Sequence, residues 1–129
     1  MMNKRDVKIL LVDDEPDILE IVGYNLKNEG YQVYTAKNGL EALKTAKKII
    51  PNLILLDIMM PEMDGIETFR QLKTLPACAD VPVVFMTARV QTHEIKEYTD
   101  LGAVDVIAKP FSPITLAEQV KTIIQNVGR

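Results

Sequence analysis

The chain has little cysteine, little histidine and no excess of basic charge, and each shortage closes off a class of function. Cys78 is the single cysteine of 129 residues, so no intrachain disulfide can form. With no histidine nearby in sequence, it reads as a structural residue, not a metal ligand or nucleophile. His93, the single histidine, stands near an expected helix start and reads as a bystander. A net charge of -3 offers no surface that would attract a phosphate backbone, and no helix-turn-helix or zinc-finger pattern is present, which argues against direct nucleic-acid binding. No apolar run approaches the length of a membrane span, and Met1 to Asp6 lacks the apolar core of a signal peptide, so the expectation is a cytoplasmic protein without membrane contact. Repeats, low-complexity tracts and linkers are also missing. The length then implies one domain over residues 1–129, with residues 1–6 expected to be disordered. With 47% hydrophobic and 26% charged residues, that domain can bury a real core.

What is present centres on Leu53 to Gly65, Leu-Ile-Leu-Leu-Asp-Ile-Met-Met-Pro-Glu-Met-Asp-Gly. An unbroken apolar run of this kind is the mark of a strand buried on both faces of a parallel sheet, and it delivers a carboxylate, Asp57, at its end. Pro61 ends strand pairing; Asp64 is placed to cap a helix, with Glu67 able to reciprocate. Met59, Met60 and Met63 read as loop packing.

The same grammar recurs along the chain. Lys8 to Val12 is an apolar strand running into Asp13-Asp14-Glu15, and Pro16 to Glu29 carries Ile18, Ile21, Val22 and Leu26 at helical spacing before Gly30. Tyr31 to Ala36 reads as a strand and Leu40 to Ile50 as a helix ended by Pro51. After Asp57, Ile66, Phe69 and Leu72 give a helix its apolar stripe, and Val81 to Met86 is a buried strand ending in Thr87-Ala88-Arg89. Gln91 to Leu101 is an amphipathic helix with Ile95 and Tyr98 inward, stopped by Gly102. Val104 to Ala108 is the last strand and delivers Lys109-Pro110-Phe111. Ser112 then caps a helix started by Pro113, with Leu116, Val120 and Ile123 or Ile124 facing inward.

Five strands alternating with five helices predict an α/β, doubly wound parallel sheet covered on both faces. If the strands take the flavodoxin-like order 2-1-3-4-5, Asp13, Asp14 and Asp57 share the crevice at the topological switch point. Three neighbouring carboxylates call for a raised pKa or a hard divalent cation with oxygen ligands, and magnesium suits them better than calcium, which would want more protein oxygens. Thr87 and Lys109 bring a hydroxyl donor and a fixed cation to the same edge, the complement of an oxyanion. No Gly-x-x-x-x-Gly-Lys loop exists to hold a nucleotide, so a phosphoryl group would be small or attached to the protein itself, with Asp57 as acceptor.

Val-Asp-Asp-Glu at 12 to 15, Leu-Leu-Asp-Ile-Met-Met-Pro-Glu-Met-Asp-Gly at 55 to 65, Met-Thr-Ala at 86 to 88 and Lys-Pro-Phe at 109 to 111 together resemble the receiver domain of bacterial two-component response regulators, the CheY-like family. The resemblance covers nearly the whole chain. It implies that Asp57 accepts a phosphoryl group from a phosphohistidine on a sensor kinase or phosphotransfer protein. It also implies that Asp14, Asp57 and the Met59 carbonyl ligate Mg2+ directly and Asp13 does so through water, with Mn2+ able to substitute. Lys109 would pair with the phosphoryl oxygens, and Thr87 would swing inward to them, drawing Ala88 and its loop along. The Lys109-Pro110 bond is expected to be cis. The switch would be read on the face of the fourth helix, fifth strand and fifth helix, by a homodimer or an output partner. Such a chain is not an enzyme but takes part in its own phosphorylation and dephosphorylation. One departure stands out: Val106 occupies a position where the family commonly has Tyr or Phe coupled to the threonine. Met59 and Arg89, two residues beyond Asp57 and Thr87, are expected to flank the path of an attacking water and to slow hydrolysis.

Three other readings compete. A pseudo-receiver would keep the fold as a protein-binding module without phosphorylation, against which stands the full set of site residues. A flavin mononucleotide carrier would need Ser, Thr and Gly where Asp13-Asp14-Glu15 stands. A metal-dependent phosphoesterase would need a further acid or base at the strand ends.

Overall fold

The structure, a computed structural model, describes residues 3–60 and 64–127. Five parallel strands, β1 (Lys8–Val12), β2 (Gln32–Ala36), β3 (Leu53–Asp57), β4 (Val83–Thr87) and β5 (Asp105–Ala108), lie in the order 2-1-3-4-5. Five helices connect them: α1 (Pro16–Asn28), α2 (Gly39–Ile49), α3 (Gly65–Thr74), α4 (Thr92–Leu101) and α5 (Pro113–Val127). Because side chains alternate across a strand, each central strand feeds two cores. Leu10, Val12, Ile54, Leu56, Val83 and Phe85 face the layer of α2, α3 and α4. Ile9, Leu11, Leu53, Leu55, Val84 and Met86 face α1 and α5, meeting Val22, Leu26, Leu116, Val120 and Ile123. A strand covered on both sides has no use for alternating polar residues, which is why β1, β3 and β4 read as unbroken apolar runs.

The expected elements form, with corrections at their edges. Gly30 and Gly102 end α1 and α4 with φ of +107° and +126°, backbone that glycine adopts without steric cost. α2 stops at Ile49, since Ile50, ahead of Pro51, leaves the helix at φ +50°. β4 starts at Val83, not Val81, although Pro82 already offers its carbonyl to Ile54 N at 3.0 Å. Asp64 caps α3 by accepting from Glu67 N at 2.9 Å, whereas the Glu67 carboxylate accepts from Gln71 Nε2 one turn on. Ile21, expected inward, is 50% exposed, and Ile95, likewise expected inward, is 37% exposed. Of the expected stripes, α1 does bury Val22 and Leu26, and α4 buries Tyr98.

Of residues 1–6, residues 3–6 are described. Lys4–Asp6 forms a 3-10 turn held by the Lys4–Glu29 ion pair at 3.3 Å and by Gln32 Nε2 donating to the Arg5 carbonyl at 2.7 Å. The readings made for Met1, Met2, Pro61 and Met63 lie outside the described residues. Cys78 is buried, in keeping with a structural role, and among the described residues no helix is long and apolar enough to cross a membrane.

Candidate functional site

β1 and β3 are hydrogen-bonded neighbours with Val12 opposite Leu56, so the next residue of each strand, Asp13 and Asp57, emerges side by side at the C-terminal edge. β4 and β5 continue that edge, with Thr87 opposite Ala108 and Lys109 one step further. Asp13, Asp14 and Asp57 each offer an oxygen within 4.8 Å of the others. Asp13 and Asp57 are buried, and Asp14 is exposed. The Lys109 ammonium reaches into this group, 2.8 Å from Asp13 Oδ2 and 3.5 Å from Asp57 Oδ2.

Backbone amides orient the carboxylates. Asp13 Oδ1 accepts from Glu15 N at 2.9 Å, and Asp57 Oδ1 accepts from Met59 N at 3.0 Å. Thr87 is fully buried, its hydroxyl oxygen accepting from Arg89 N at 3.0 Å. Lys109 N donates to the Thr87 carbonyl at 2.8 Å, tying the two strand ends together, and the Lys109–Pro110 bond is cis.

Electrostatics separate the members of the site. Burial pushes the Asp57 carboxyl up to about 6, opposed by the Met59 amide; the Asp13 charge raises it further, Lys109 pulls it down and a hydrogen bond with Asp14 raises it. Burial alone would lower the Lys109 ammonium, but the hydrogen bond to Asp13 and the charges of Asp13, Asp57 and Glu15 raise it overall. Lys109 is therefore a fixed positive charge at neutral pH. The donor set is all oxygen, His93 is not part of it, and Cys78 lies in the 3-10 turn before β4. A hard cation fits such a cluster, and a soft transition metal does not.

The residues read as switch positions are also placed. Ala88 and Arg89 are exposed beside an open hollow of about 460 Å³ that Val90, Gln91 and Glu94 complete. Val106 is half-buried against the core that holds Phe85. Phe69 and Phe85 meet edge to face at 5.2 Å between ring centroids, and Phe85 and Tyr98 do so at 5.7 Å, so Tyr98 of α4 packs its ring against Phe85 of β4, in the core that Val106 lines. The sequence signals that Tyr98 faces inward but not that its ring meets Phe85. Nor does it mark Gly65, buried where α3 begins, or the amides of Glu15, Met59 and Arg89, for which no side-chain signal exists.

The sequence profile described as response regulator receiver domain matches residues 9–121. The chain is 43% identical over 125 residues to the alkaline phosphatase synthesis transcriptional regulatory protein PhoP of Bacillus subtilis, covering 97% of this chain and 50% of that protein. It is 38% identical over 121 residues to the response regulator SaeR of Staphylococcus epidermidis, covering 94% of this chain and 52% of that one. The chain thus spans about half the length of these curated relatives. Among solved structures, the chemotaxis response regulator CheY4 of Vibrio cholerae superimposes with a TM-score of 0.85 at 32% identity, covering 91% of this chain and 98% of that one. A response regulator from Desulfuromonas acetoxidans gives a TM-score of 0.84 at 32% identity, covering 92% and 97%. With the order of its strands, the residues gathered at their ends and a family match over 113 residues all in agreement, the chain belongs to the response regulator receiver domain family of two-component signal transduction.

Proposed function

We propose that the protein is a phosphorylation-controlled receiver in which Asp57 accepts a phosphoryl group from the phosphohistidine of a sensor kinase or phosphotransfer protein. The observation that carries this reading is the setting of the Asp57 carboxylate: 2% exposed, with one oxygen held by the Met59 amide and the other 3.5 Å from Lys109 Nζ. A carboxylate oxygen attacking phosphorus forms an acyl phosphate and expels the donor nitrogen. Lys109 offsets charge on the equatorial oxygens. Thr87, whose oxygen accepts from Arg89 N, keeps its own proton to donate to one of them.

Asp13, Asp14, Asp57 and the Met59 carbonyl are the groups that would hold Mg2+, or Mn2+ in its place, and the cation would screen the carboxylates from the incoming phosphoryl oxygens. The protein acts on itself and not on other substrates. Differential contacts of the phosphoryl group then bias a two-state equilibrium, read by an output partner or a second copy on the α4, β5 and α5 face, in the cytoplasm.

Intact mass after incubation with Mg2+ and acetyl phosphate tests the assignment. One phosphoryl adduct is expected on the wild type and none on Asp57→Asn or without the cation. Failure to take up phosphate from either acetyl phosphate or a sensor kinase would leave a protein-binding module that is not controlled by phosphorylation.

The exposed side chains of Met59 and Arg89 beside the site set how readily water reaches the acyl phosphate. Met59→Asn replaces an apolar cover with a group that binds water, and the phosphorylated lifetime is expected to shorten severalfold. An unchanged decay rate in a quenched time course would remove Met59 from that role.

A further inference from the structure

Beyond phosphorylation, we infer that Met59 is an oxidisable site through which peroxide shortens the phosphorylated state, an inference that rests on the phosphoacceptor reading of Asp57. Three methionines can be compared by exposure. Met59 is 52% exposed, whereas Met60 is 5% and Met86 is 0% exposed. Thioether oxidation follows access of the oxidant to sulfur, so peroxide reaches Met59 and is shut out from the two core sulfurs.

The position gives the modification a consequence. Met59 is not a remote surface residue: its amide donates to Asp57 Oδ1 at 3.0 Å, so its side chain leaves the backbone at the lip of the Asp57 site. Across the edge, the Arg89 amide makes the corresponding bond to Thr87. As a thioether, Met59 is an apolar cover that does not hold water in line with an acyl phosphate. Oxidation transfers one oxygen from a peroxide to the sulfur; the sulfur loses two electrons, and the peroxide is reduced to water or the corresponding alcohol. The product carries a strongly polar S–O group that accepts hydrogen bonds from water. The cover becomes a water-binding surface at the same backbone position. Methionine sulfoxide reductases reverse the step, which makes the change a switch and not only damage.

The test treats the folded protein with dilute hydrogen peroxide, maps oxygen uptake by peptide mass, and then follows decay of the acetyl-phosphate-derived adduct. Oxidation at Met59 is expected to outpace that at Met60 and Met86. The adduct on the oxidised protein should decay about threefold faster or more, and reductase treatment should restore the original rate. Met59→Leu, which keeps the backbone and loses the sulfur, should show one decay rate before and after peroxide. Equal oxidation of Met59 and the buried methionines, or an unaltered decay rate once Met59 is oxidised, overturns the inference. So does a peroxide-dependent change that persists in Met59→Leu. An untreated protein that takes up no phosphoryl group is a different failure, that of the phosphoacceptor assignment itself.

Discussion

Gly65→Ala is expected to meet the tightest main-chain collision of any glycine-to-alanine change among the described residues and to damage the fold accordingly. Gly65 is the first residue of α3, in ordinary helical backbone, so its need for glycine is spatial and not conformational. A Cβ there would collide with the Ile58 Cα and the Asp57 carbonyl oxygen, and would stand 2.8 Å from Ile58 Cγ2. Two of these three neighbours are main chain and have no rotamer into which to retreat. Either α3 lifts off the end of β3 or the β3 terminus moves, and that terminus carries Asp57. Overpacking typically costs about 1–3 kcal/mol, and backbone collision places this case at about 3 kcal/mol or more, a fall in Tm of roughly 10 °C. Thermal unfolding measures the first effect. The second is a loss of phosphoryl uptake in whatever fraction still folds, because the Met59 amide and the Asp57 carboxylate are held by the same few residues. A variant with wild-type Tm would mean that α3 starts elsewhere.

Gly65 also marks the limit of what the sequence makes legible. The site was readable because each of its members follows an apolar run: β1, β3, β4 and β5 announce themselves by composition, and Asp13, Asp57, Thr87 and Lys109 are simply the next polar residues. Convergence of those ends needed only the strand order. Where the sequence is less legible, the deciding contact is remote along the chain. The 3-10 turn at residues 4–6 is held by Glu29 and Gln32, partners that no local pattern names. Ile21 and Ile95 lie at the right helical phase, but phase fixes a direction and not the width of surface that the neighbouring elements cover. For α4 that width is one aromatic ring. Val106 looked like the loss of an aromatic from β5, and only the packed structure sets Tyr98 of α4 against Phe85 in the same core.

Removing the Asp57 charge is expected to stabilise the metal-free protein, with a pH dependence opposite to that of an ordinary paired carboxylate. In most folds an aspartate has its pKa lowered by a partner, and its contribution is lost as the pH falls. Here the carboxyl is raised from 3.8 to about 6, chiefly by burial, with Asp13 adding to it and Lys109 only partly compensating. The folded chain therefore binds the proton more tightly than the unfolded chain. The linkage relation makes the contribution of Asp57 fully present below pH 3.8 and progressively lost as the pH rises through about 6. Above that the buried anion works against the fold. Asp57→Asn, which keeps the shape and removes the charge, should leave stability unchanged near the acid end of this window. It should raise stability by about 2 kcal/mol at neutral pH, a figure discounted for the solvent that enters beside exposed Asp14. Urea unfolding of both proteins across the window measures the difference directly. Magnesium supplies the control, since a cation that binds the folded site stabilises the wild type by mass action. The advantage of Asp57→Asn should then shrink as Mg2+ is added and return with a chelator. A constant difference at every pH would show that the Asp57 carboxyl titrates as it does in the unfolded chain, and that Lys109 alone balances both Asp13 and Asp57.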